Sequence, residues 1–191
     1  TLFIHLTLIP YLASAGELKT KPTQHSVKQL SESGIQPDIL VCRTEHPIPQ
    51  EMKKKIGLFC NVSEADVIEA RDASTIYEVP LLMQKERLDS RVLYKLDIYN
   101  DKESNLKNWT SFLSKLQNPK FEINIGLIGK YVELKDSYKS ISEAFIHAGV
   151  SNETKVSVKW IHSEELTPEN ISSELSDLDG ILVAPGFGSR G

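Results

Sequence analysis

Apolar positions along the chain fall into two series, and each alternates strand and helix. The run from Leu2 to Ile9 is short and apolar, which predicts a strand. A helical pattern follows from Pro22 to Ser33. The turn "GIQPD", with Gly34 just past the helix end, predicts a return into the sheet at "PDILVCR". Next come a helix from Gln50 to Phe59 and a short strand from Val67 to Glu69. Residues 75 to 97 predict short helices with an apolar face of Ile76, Val79, Leu81, Leu82, Leu88, Val92 and Leu93. This order argues for a parallel sheet with helices on its faces.

From Tyr99 to Lys120 the apolar pattern thins to Leu106, Trp109, Phe112, Leu113 and Leu116, which predicts a linker containing an amphipathic helix. A second series then begins. "FEINIGLIGKY" reads as strand, "SYKSISEAFIHAG" as helix, "KVSVKWIH" as strand, "TPENISSEL" as helix and "GILVAPGFG" as strand and turn. The expected fold is α/β, with parallel sheets and flanking helices in two partial domains. They cover residues 1–98 and 121–191, joined by a linker at 99–120.

Composition narrows the function classes. With 191 residues, 40% of them hydrophobic and 25% charged, the chain buries an ordinary core. A net charge of −4 argues against a broad nucleic-acid surface, though a local basic site for a small polyanion fits it. There is no apolar run of about 18 residues, so no membrane span is expected. The opening segment lacks a Met and a basic region, and His5 interrupts it, so it reads as a strand rather than a secretory signal. Sequons at Asn61, Asn108, Asn152 and Asn170 matter only in a secreted protein. Cys42 and Cys60 make no disulfide framework and read as core. The histidines show no metal-ligand spacing. The start at Thr1 and the stop after "PGFGSRG" lead to the expectation of a segment of a longer chain.

Candidate chemistry begins at "KTKPTQ". Lys19 and Lys21 stand at a helix start, where the macrodipole is already positive. Pro22 suits a first turn, because its missing N–H has no helical partner there. The free N–H groups of that turn and the two lysines would cradle phosphate, with Thr20, Thr23 and Gln24 adding neutral donors. Spacing alone favours a solvated lysine pair over that reading. Lys53, Lys54 and Lys55 read first as a solvated helix face. Arg71 and Asp72 come just after a strand end, where open α/β sheets bind ligands, although spacing alone favours a turn with a local ion pair. "GILVAPGFGSRG" runs from strand into a glycine-rich turn, and it lacks the Gly-Lys-Ser/Thr ending of a phosphate-binding loop.

Resemblance goes further than spacing. "YLASAGELKTKPTQHSVKQLSESGIQPDILVCR", "KKKIGLFCNV", "IYEVPLL", "IGLIGKYVELKDSYKSISEAFIHAG" and "LDGILVAPGFGSRG" resemble the CTP synthase family across nearly the whole chain. That family joins a P-loop-type synthetase domain, similar to dethiobiotin synthetase, to a flavodoxin-like class I glutamine amidotransferase domain. The resemblance implies that Lys19, Thr20, Lys21, Pro22, Thr23 and Gln24 bind UTP, and CTP as feedback inhibitor, with Lys55 as a further nucleotide contact. Arg71, Asp72 and Ala73 fall where the family commonly has Lys-Asp-Val at the adenine end of ATP. Gly186 matches a glycine that contacts glutamine. The family commonly reads Pro-Gly-Gly-Phe-Gly where this chain has Ala184-Pro185-Gly186-Phe187-Gly188. Pro185 has no N–H, so a backbone donor is lost there, while Gly186 keeps its own.

The implied reaction phosphorylates O4 of UTP with ATP and Mg²⁺, hydrolyses glutamine through a cysteine thioester, and passes ammonia across to give CTP. In the family, the P-loop and the acidic Mg²⁺ ligands precede the segment seen here, and the cysteine with its His-Glu partners follows it. The expectation is therefore a chain without catalytic residues of its own, inactive alone, from a cytoplasmic homotetramer that binds neither nucleic acid nor membrane. The competing readings are a non-catalytic nucleotide-binding or filament-forming paralogue, and part of another amidotransferase-linked ligase.

Overall fold

The computed structural model describes residues 1–99, 102 and 104–188. Positions 100, 101 and 103 of the expected linker, and the "SRG" end of the last motif, lie outside the described residues. The chain forms two compact units, Thr1–Leu106 and Lys107–Gly191.

In the first unit, β1 (Ile4–Leu8), β4 (Ile39–Thr44) and β5 (Val67–Arg71) form a parallel sheet in the order β1-β4-β5. Leu6 pairs with Val41, and Val41 with Ile68. β4 is the middle strand, and Ile39 and Leu40 are both 0% exposed although they point to opposite faces. On one face Leu40, Cys42 and Val67 pack with Val27 of α1 (Lys21–Glu32) and with Ile56 and Cys60 of α2 (Gln50–Cys60). On the other, Ile39, Val41 and Ile68 meet Met83 of α3 (Val79–Lys85) and Leu88 and Val92 of α4 (Leu88–Lys95). Each fully buried aliphatic side chain contributes roughly 1.5–3 kcal/mol. The outer strand β1 leaves Ile4, Leu6 and Leu8 exposed.

Local signals set the element ends. After α1, Gly34 takes φ +79°, its N–H donates to the Ser31 carbonyl, and the Ile35 N–H reaches back to Leu30. This is a left-handed glycine cap. At the end of α2, Gln36 Nε2 donates to the Cys60 carbonyl at 3.0 Å. In this unit two elements differ from the sequence pattern. A hairpin of β2 (Tyr11–Leu12) and β3 (Glu17–Leu18) interrupts the path from β1 to α1. Ile76, assigned to an apolar face, is exposed, because the 3₁₀ turn at Ile76–Glu78 buries Tyr77 instead.

In the second unit, β6 (Phe121–Gly129) lies between β7 (Thr154–His162) and β8 (Gly180–Val183) in another parallel sheet. α6 (Lys139–Ser151) connects β6 to β7. Leu127, Tyr138 and Ala184 form a core with Ile141, Val158 and Trp160. The helix expected in the linker is α5 (Lys107–Gln117), and its Phe112 ring lies 5.3 Å from His147 of α6. The helix expected over "TPENISSEL" is only α7 (Ile171–Glu174). Asn170 explains the shortening, since its side chain accepts from the Thr167 N–H and donates to the Glu165 carbonyl, holding a turn.

One ion cluster ties α4 down. Asp66 is 0% exposed and receives Arg91 Nη2 at 2.7 Å and Lys95 Nζ at 2.9 Å. Removing the carboxylate strands two half-buried cations. Asp66→Ala is therefore expected to destabilise the first unit by about 2–4 kcal/mol. Urea unfolding followed by circular dichroism measures this, and an unchanged midpoint would contradict it.

Candidate functional site

The first helix of the chain begins without the usual protection. Thr20 occupies the N-cap position but makes no side-chain cap, Pro22 sits in the first turn, and no acidic residue lies there. The approach to the helix is nonetheless rigid. The Lys19 N–H donates to the Pro10 carbonyl at 2.9 Å, and Leu18 and Thr20 are buried. The Thr23 hydroxyl donates to the Leu8 carbonyl at 3.0 Å and lies 3.1 Å from the Thr7 hydroxyl. The helix start is thus pinned to the carboxyl end of β1.

These bonds fix where the neutral candidate side chains point. Thr23 is fully buried, and its hydroxyl fastens the helix to β1. Gln24 turns back, with Nε2 donating to Thr20 Oγ1 at 3.0 Å. What remains outward is cationic: Lys21 is exposed, and Lys19 is partly so. Lys19 is hydrogen-bonded to Glu17, a residue the sequence reading left out although it stands two positions away. That bond, the Lys19 charge and the charge of Lys55 hold the Glu17 carboxyl below its ordinary range. Lys55 on α2 therefore acts in the same electrostatic neighbourhood as the start of α1.

The three consecutive lysines separate cleanly. The Lys53 side chain is only 15% exposed and binds Glu86 at 2.7 Å. Lys54 pairs with Glu51 one turn back at 3.2 Å. Among the described residues, Lys55 and Lys21 form no ion pair within 4.0 Å.

Arg71 ends β5 and is exposed, and Asp72 and Ala73 follow it. The Asp72 N–H donates to the Thr44 carbonyl at 2.9 Å, and its carboxylate accepts from Arg43 Nε at 3.0 Å. The local ion pair weighed for this segment thus forms with Arg43 rather than with Arg71. Segments 19–24 and 71–73 both leave from carboxyl ends of the sheet, where α/β folds place ligands. At the same edge the Tyr11 and His46 rings lie 4.1 Å apart, a contact no spacing signal indicated. A hollow of about 930 Å³ elsewhere in the first unit, lined by Leu81, Arg87, Leu93 and Tyr94, holds none of the candidate residues.

In the second unit, Gly186 follows β8 in a turn that starts at Ala184, whose N–H donates to the Ile128 carbonyl at 2.8 Å. Gly186 is half-buried between exposed Pro185 and Phe187. Among the described residues, no three His, Cys, Asp or Glu side chains gather to hold a metal ion, and no helix is long and apolar enough to cross a membrane.

Comparison of the sequence with known proteins finds matches in both units. The family model described as CTP synthase N-terminus matches residues 1–98, and that of class-I glutamine amidotransferase matches residues 133–191. The chain is 65% identical over 191 residues to the CTP synthase of Cytophaga hutchinsonii, covering 100% of this chain and 35% of that protein. Against the CTP synthase of Flavobacterium johnsoniae it is 63% identical over 188 residues, covering 98% of this chain and 35% of the relative. Against that of Methanocaldococcus jannaschii it is 56% identical over 196 residues, covering 100% and 36% respectively. The chain thus spans about a third of the length of these curated relatives.

Both cysteines are buried and free. Burial pushes the Cys42 thiol up to about 11, and it raises Cys60 as well. Thiolate is the reactive form, so burial lowers the reactivity of both side chains at neutral pH. Iodoacetamide at pH 7.5 is expected to leave both unmodified in the folded chain and to alkylate both in denaturant. Rapid native labelling of Cys42 would contradict its placement.

Proposed function

Because the chain belongs to the CTP synthase family, we propose that it forms part of an enzyme that aminates UTP to CTP, using ATP and nitrogen from glutamine or ammonia. The observation that carries this reading is the start of α1. An uncapped helix N-terminus, without a first-turn acid, begins at exposed Lys21 and directly follows Lys19 and Thr20. Helix N–H groups and ammonium groups together suit a triphosphate.

In this reading Lys21 and Lys55 meet the phosphates directly. Lys19 exchanges Glu17 for phosphate when a nucleotide arrives. Thr23 acts indirectly by fixing the helix start against β1. Substrate and product carry the same triphosphate, so CTP competes for the same cations. Arg71, Asp72 and Ala73 take the adenine end of ATP, with Asp72 steadied by Arg43. Gly186 contacts glutamine through its backbone. Among the described residues no three His, Cys, Asp or Glu side chains gather to hold a metal ion; following the family resemblance, this reading assigns Mg²⁺ to other parts of the protein and routes no step here through it. A cytoplasmic homotetramer belongs to the same proposal and rests on the family resemblance alone.

In the full-length protein, Lys19→Ala combined with Lys21→Ala is expected to raise the KM for UTP roughly ten-fold or more and to weaken CTP inhibition. Glutamine hydrolysis should be nearly unaffected. Steady-state kinetics with UTP varied would check this, and an unchanged KM would remove the phosphate assignment. The 191-residue chain alone is expected to form no CTP from UTP, ATP and ammonia. Detection of CTP by chromatography above a no-protein control would contradict that expectation.

A further inference from the structure

Lys130 follows directly on β6, at the carboxyl end of the central strand of the second sheet. Its Nζ donates to the Phe187 carbonyl at 2.6 Å, inside the glycine-rich turn, and lies 5.1 Å from the centroid of the Tyr131 ring. We propose that Lys130 is a positioning residue for glutamine, fastening the turn that carries Gly186. This rests on the reading of that turn as the glutamine contact.

The lysine stands on a rigid base. The N–H groups of Lys130 and Tyr131 both donate to the Tyr138 hydroxyl, at 3.1 and 3.2 Å. Tyr138 is buried in the core of the unit. Its hydroxyl reaches these two donors only because residue 129 is glycine, since a Cβ there would lie 2.7 Å from that oxygen. Among the described residues the turn has little else to hold it. Ala184 is bonded to β6 through its N–H. Beyond it Pro185 has no N–H to give, and Phe187 is 85% exposed, contributing little packing. Gly186 therefore lies between two fixed points, the Ala184 amide and the Phe187 carbonyl. A hydrogen bond from an ammonium group is about twice as strong as a neutral one, which suits a fastening near solvent.

Without that bond the turn samples more conformations, and glutamine must order it on binding. A ligand that binds only a fraction of the population pays that fraction in apparent affinity. Ammonia bypasses the turn.

The test uses the full-length protein with Lys130→Met and Lys130→Arg. Lys130→Met is expected to raise the KM for glutamine about five-fold with little change in kcat, and to leave ammonia-dependent CTP formation at the wild-type rate. Lys130→Arg, which keeps a cationic donor, should recover most of the loss. Hydrogen–deuterium exchange at the Gly186, Phe187 and Gly188 amides should be faster in Lys130→Met than in wild type. The proposal requires both changes. Unchanged exchange, an unchanged glutamine KM, or a parallel fall in ammonia-dependent activity each overturns it. Wild-type protein that forms no CTP from ammonia would instead overturn the proposed reaction, and the exchange measurement would still decide whether Lys130 holds the turn.

Discussion

Burial of β4 on both faces is the constraint from which the first unit follows. Ile39, Leu40, Val41 and Cys42 have no solvent side, so helices must cover the sheet above and below. Parallel neighbours on either edge then require crossover connections, and each connection leaves from the carboxyl end of a strand. The segments carrying Lys19 to Gln24 and Arg71 to Ala73 leave from that edge as a consequence of the topology. The second unit repeats the logic around β6, whose carboxyl end carries Lys130 and faces the turn after β8.

Charge is distributed at the edge in a way that folding alone does not require. A helix start gains from an acid and loses from nearby cations. α1 nevertheless has no first-turn acid and lies beside Lys19 and Lys21, while the buried hydroxyl of Thr23 holds its position. The nearby carboxylate, Glu17, is placed against Lys19 before the helix rather than within its first turn. α2 shows the contrast within three residues. Lys53 and Lys54 are engaged by Glu86 and Glu51, while the Lys55 charge reaches Glu17. An arrangement that leaves positive potential at one helix end makes physical sense when an anion completes it.

Long apolar runs and glycine punctuation made most of the architecture legible in the sequence. "DILVC" gave the buried strand, and Gly34 gave the end of α1, because both signals are local. Two-residue strands such as Tyr11–Leu12 carry too few positions to show a period, so the hairpin was invisible. Ile76 and Tyr77 compete for burial in one 3₁₀ turn, and the tertiary contact rather than hydrophobicity decides the outcome. At the candidate site the residue types were legible and their commitments were not. Thr23 reads as a ligand donor in sequence, while its hydroxyl is bonded to a strand 15 residues earlier. The Arg43–Asp72 pair spans 29 positions and leaves no spacing signal.

The central claim is that the cationic start of α1 holds a nucleoside triphosphate. A structure of the full-length protein with UTP bound tests it most directly. The account predicts phosphate oxygens within hydrogen-bonding distance of the first-turn N–H groups of α1 and of Lys21, with Lys19 released from Glu17. A triphosphate bound elsewhere, with Lys19 still held by Glu17 and Lys21 free in solvent, would contradict it.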